Sequence, residues 1–150
     1  MTSEEVKRAL VGYCSQYQLL GILEASTPGH RFDFWWIRPS FSKPETAGVE
    51  IKVSRADFLS DKKWHHYLPY CEKFYFACPA GLIQESELTP EVGLIWIDAD
   101  GNASFVKRAK RRPMETENRI KMLMRVIFKL HFKPEIQDEA AHPATTQEGK

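Results

Sequence analysis

The sequence predicts an α/β protein built on a mixed sheet: a helix, three strands, a helix and a strand, then a β-hairpin and a last helix. Three observations predict it. Runs rich in β-branched and aromatic residues alternate with stretches of helical periodicity. "GILEAS", "RFDFWWI" and "AGVEIKV" follow one another with only turn or loop residues between them. Over 150 residues, 43% hydrophobic and 27% charged content is ordinary for one globular domain with a sizeable core.

The elements follow in order. Ser3 is placed to cap a helix to about Tyr17, with Val6, Leu10, Val11 and Cys14 on one stripe. "GILEAS" is a short strand, and Pro28 and Gly29 favour a turn from Thr27 to His30. "RFDFWWI" is an aromatic strand, and the polar segment Ser40 to Thr46 is a loop. "AGVEIKV" is the third strand. Ser54 with Asp57 three residues on starts a helix expected to reach Pro69 or Tyr70. "KFYFAC" is a strand, and "VGLIWI" and "ASFVKR" flank the hairpin signal "DADGN". A last helix, about Met114 to His131, carries Ile120, Leu123, Met124 and Ile127 at helical spacing, with Lys121, Arg125 and Lys129 on a separate ridge. Residues 1–133 read as one domain. Residues 134–150 lack periodicity and read as a disordered tail.

No apolar run is long enough for a membrane span, and "MTSEEVKR" is no secretory signal, which points to the cytoplasm. Cys14, Cys71 and Cys78 lack metal-site spacing and read as small core residues. The net charge of +1 conceals ten basic residues against Glu115 and Glu117 between Lys107 and Lys133. Such an excess suits a polyanion, although solvated basic faces are common.

The chemistry concentrates on "GVEIKVSRADF". Glu50 and Lys52 share a strand face, roughly 6–7 Å apart, while Val49, Ile51 and Val53 are expected to enter the core. On the preceding strand Asp33 shares a face with Trp35 and Ile37, opposite Phe32, Phe34 and Trp36. Antiparallel pairing brings Asp33 beside Glu50. Two close carboxylates are costly without a cation, and such hard oxygen donors suit Mg²⁺, with Mn²⁺ as substitute. An adjacent lysine can orient water or offset charge developing on phosphorus. The competing reading is an edge strand protected by charge.

Asp33 on one strand, Glu50-Ile51-Lys52 on the next and the run from Val49 to Pro79 ("VEIKVSRADFLSDKKWHHYLPYCEKFYFACP") resemble the PD-(D/E)xK nuclease superfamily. Within it they resemble the MmcB-type DNA repair proteins. The resemblance implies a restriction-endonuclease-like αβββαβ core and metal-dependent DNA hydrolysis, in repair or on phage or restriction-type DNA. It also implies Asp33, Glu50 and the Ile51 carbonyl as metal ligands, with Lys52 positioning or activating water. A non-cleaving DNA-binding repair factor is the alternative. Glu5 (or Glu4) and Glu24 are candidate accessory acids. Lys63 and Tyr67 replace a Gln-apolar-x-x-Tyr helix motif and are expected on one helical face. Candidate DNA contacts are Arg31, Lys62, Lys107, Arg108, Lys110, Arg111 and Arg112. Phe32 and the long aromatic loop after Trp36 depart from the family pattern, and a homodimer is left open.

Overall fold

The structure is a computed structural model and describes residues 1–132; the expected tail, 134–150, lies outside the described residues. Helix α1 (Ser3–Gln16) precedes strands β1 (Leu20–Thr27), β2 (His30–Arg38) and β3 (Glu45–Ile51). Helix α2 (Arg55–Ser60) and a 3₁₀ segment (Trp64–Tyr70) lead to β4 (Lys73–Pro79). The hairpin of β5 (Gly93–Ile97) and β6 (Ala103–Lys107) and helix α3 (Thr116–His131) complete it. The strands form one mixed sheet in chain order, with β3, β4 and β5 parallel and the other pairs antiparallel. Among the described residues no helix is long and apolar enough to cross a membrane.

Two cores sandwich the sheet. On one face Val6, Leu10 and Cys14 of α1 pack on Phe34, Trp36, Val49, Ile51 and Tyr75. On the other, Met122 of α3 and Tyr67 of the 3₁₀ segment pack on Phe32, Trp35, Phe74 and Phe76. Central β4 is buried on both faces, which explains why "FYFAC" is apolar without alternation. All three cysteines are free and buried, as expected of small core residues.

Several expectations need correction. Thr2, not Ser3, caps α1, and Glu5 closes a capping box with it. Strand β3 ends at Ile51 because Ser54 turns the chain into α2, so Val53 stays exposed instead of entering the core. The expected long helix breaks at Asp61, whose carboxylate accepts the Lys63 N–H at 2.7 Å and turns away from helical geometry. The chain resumes as 3₁₀, where Pro69 disfavours α geometry at Leu68. Alternation also fails in β2: Phe32 joins the face of Trp35, not that of Phe34. Opposite this break Glu24 has φ +56. Gly48 makes room, since a Cβ there would approach the Phe32 ring to 2.2 Å. On α3 the buried stripe is Met122 with Leu123 and Val126, while Ile120, Met124 and Ile127 face outward.

Candidate nuclease-like carboxylate site

Antiparallel pairing of β2 with β3 runs through Phe34↔Val49, so the next residues along, Asp33 and Glu50, are neighbours where the ladder ends. Each carboxyl group has one oxygen on the other strand's main chain. The Asp33 N–H donates to Glu50 Oε1 at 3.3 Å, and the Ile51 N–H donates to Asp33 Oδ2 at 2.7 Å. The expected convergence of Asp33 and Glu50 is therefore present, and both border a cavity of about 580 Å³ with Ile51, Lys52, Lys63 and Tyr67. Burial, then the Asp33 charge, pushes Glu50 up to about 8, despite the opposing pull of Lys52.

Lys52 follows β3, its N–H donating to Ala77 O at 2.9 Å. Its ammonium is only 5% exposed as a residue and lies 2.8 Å from Asp61 and 3.5 Å from Asp57. Burial works against its charge, but Asp61, with Asp57 and Glu50 behind it, outweighs that and raises its pKa above the ordinary lysine value. Lys52 is thus a permanent cation at neutral pH. It can offset negative charge or orient a water. Asp57 and Asp61 were not legible as partners. Asp57 reads as a capping acid, and Asp61 falls inside the expected helix. Two acids four residues apart directly after E-x-K were the available signal.

The accessory residues are placed differently. Tyr67 is drawn inward, its hydroxyl donating to Arg31 O at 3.0 Å and its ring packed on Phe32. Burial, then the charges of Glu50 and Asp33, raise it to about 12. Lys63 precedes the 3₁₀ segment and is exposed at the cavity rim, so the pair does not share a regular α-helical face. Lys62 beside it is exposed. Glu5 is spent on the α1 cap, accepting the Thr2 N–H at 2.6 Å, and does not border the cavity; Ser3 does. Glu4 pairs with Lys7. Glu24 pairs with Lys7 at 3.9 Å and Arg31 at 3.6 Å, facing a groove beside α3. Trp35, expected on the Asp33 face opposite Phe32, instead lies with Phe32 and is fully buried, its indole N–H donating to Tyr70 O.

The basic run lies elsewhere. Lys107 pairs in register with Leu94 near the start of β5, and Arg111 reaches Glu45 at the start of β3. The strand length between Glu45 and Glu50 sets this end roughly 15–20 Å from the carboxyl pair. There Arg111 binds buried Glu72 at 2.6 Å, Lys107 donates to Thr89 O, and Arg108 stacks on Phe105. Arg112 is half-buried, whereas Lys110 is exposed.

A half-buried pair of close carboxyl groups is eased by a shared proton or a cation, and its all-oxygen donors are those a divalent metal such as Mg²⁺ or Mn²⁺ takes. The residues fit such an ion. Among the described residues, however, no group of three or more His, Cys, Asp or Glu is arranged to hold one, so any ion would draw further ligands from main chain, water or substrate.

No curated protein matches the chain. A solved structure, described as SPO1766 protein of unknown function from Silicibacter pomeroyi, superposes with a TM-score of 0.75 at 25% identity, covering 100% of this chain and 95% of that one. A family model described as DNA repair protein MmcB-like matches residues 2–131. The chain therefore belongs to the MmcB-like DNA repair protein family.

Proposed function

We propose that the protein is a metal-dependent deoxyribonuclease acting in DNA repair. One observation carries the reading: two carboxyl groups from neighbouring strands meet at a cavity, one of them held near pKa 8, beside a lysine kept charged by its own acids. Asp33 and Glu50, with the Ile51 carbonyl, are the residues that would hold Mg²⁺. Such an ion, when bound, polarises a phosphodiester and makes water a better nucleophile. The chain does the rest. Lys52 places a fixed positive charge where the phosphate becomes more negative, and Asp61 aims it. Tyr67 stays protonated and anchors the start of β2 through Arg31 O, keeping Asp33 in register. Arg31, Lys62 and Lys63 supply cations near this end of the sheet for the flanking phosphates.

A second reading is favoured by a specific observation. Two carboxyl groups, with no third acid among the described residues arranged with them to hold an ion, beside an ammonium already paired with Asp57 and Asp61, also suit a repair factor that binds DNA without cutting it. Cleavage of single-stranded, nicked and branched DNA in Mg²⁺ or Mn²⁺ separates the two. Wild type is expected to cut and Lys52→Ala to lose at least about 100-fold. Equal activity in both removes the mechanism. Binding without cutting by both selects the second reading.

A further inference from the structure

Helix α3 is apolar on two sides. Its inner side packs Met122, Leu123 and Val126 against the sheet, while Ile120, Met124, Ile127 and Phe128 are between 55% and 63% exposed. A helix hydrophobic all round is normally buried. At 100° per residue, Glu117, Ile120, Met124, Ile127, Phe128 and His131 all point within about 60° of the Met124 direction. The face is therefore an apolar stripe, aromatic at Phe128, with an acid at its first turn and a histidine at its last.

We infer that this face is a self-association surface, on which α3 of two copies packs antiparallel about a two-fold axis at Met124. The sequence is self-complementary about that residue. Glu117 comes opposite His131 of the second copy, Ile120 opposite Phe128, Ile127 opposite the aliphatic stem of Lys121, and Met124 opposite itself. An isologous contact requires this reciprocity. Antiparallel packing also opposes the helix dipoles and sets Glu117 in the first turn of one copy against His131 in the last turn of the other. The groove between β1 and α3, which Met124 and Phe128 line together with Arg125 and Arg31, would suit stacked bases, whereas Ile120 and Ile127 offer no ring to stack on. The inference does not rest on the nuclease reading.

Sedimentation equilibrium of the full chain from about 1 to 100 μM tests it. Wild type is expected to dimerise, and Ile127→Glu to weaken association at least 100-fold, with its circular dichroism unchanged because the site is exposed. Glu117→Lys is expected to weaken it about tenfold and His131→Glu to rescue that variant, a readout that survives even if Ile127→Glu misfolds. A wild type monomeric at 100 μM, or dimers indifferent to both substitutions, overturns the inference. So does a monomer whose single-stranded DNA affinity falls on Phe128→Ala, which would assign the face to nucleic acid.

Discussion

The two ends of the sheet bury acid among base with opposite outcomes. At the end where β3 starts, Glu72 is 2% exposed and fully engaged. One oxygen takes the Thr46 N–H and hydroxyl together with Arg119, and the other takes Arg111 twice, at 2.6 and 2.8 Å. At the end where β3 stops, Asp33 and Glu50 take main-chain donors and lie against each other, and the Lys52 ammonium is turned to Asp57 and Asp61. A buried carboxylate with its cations in place is a structural tie. A buried carboxyl pair without one is an open site that asks for a proton or a metal. Charge alone marks both; compensation tells them apart.

The contrast breaks most visibly at Glu72. Glu72→Ala leaves two arginines facing a gap, and is expected to cost about 3–5 kcal/mol in urea unfolding, with cleavage per folded molecule unchanged. Asp33→Asn should do the reverse. Activity is expected to fall about 10²–10³-fold while the melting temperature holds or rises, because a repelling charge leaves the pair. A stable Glu72→Ala, or an unfolded Asp33→Asn, would erase the distinction between the ends.

The open end should also report its proton. Glu50 is raised from 4.5 to about 8, so the native state holds a proton that the unfolded chain releases. Its contribution is fully present below pH 4.5 and is lost as pH rises through about 8. Metal-free protein is therefore expected to lose about 2–3 kcal/mol over that window, after allowance for partial exposure and for sharing with Asp33. Glu50→Gln should flatten that slope, and Mg²⁺ should raise the melting temperature more at pH 8 than at pH 6. Unfolding curves with the same pH slope in wild type and Glu50→Gln would dismiss the shared proton.

Local pattern made most of the open end readable and almost none of the closed one. Asp33 and Glu50 lie on successive strands, and antiparallel pairing of those strands suffices to bring them together. The tie between Glu72 and Arg111 spans 39 positions and needs the finished sheet. The same limit hid the tie within the basic run, where Arg111 is drawn onto Glu72 at the far end. On α3 the helical period was legible but not which of two apolar stripes would face inward. Met122 and Val126 won that place, leaving Ile120, Met124 and Ile127 outside. Asp61 was missed because its role overrides helix propensity, its carboxylate serving Lys52 and the Lys63 N–H in place of a helical turn.

The smallest effect expected is the one that decides what Lys52 does. Asp61→Asn removes the charge 2.8 Å from the ammonium but keeps an oxygen for the Lys63 N–H, so the chain turn survives. Asp57 and Glu50 remain, and the pKa of Lys52 falls without collapsing. If Lys52 acts as a fixed cation, cleavage at neutral pH drops about tenfold, and the alkaline limb of the pH–rate profile moves to lower pH. If it acts as a base, the same substitution enlarges the neutral fraction and the rate at pH 7 rises. The two roles thus predict opposite signs for one variant, and the burial of Asp61 against Lys52 favours the first.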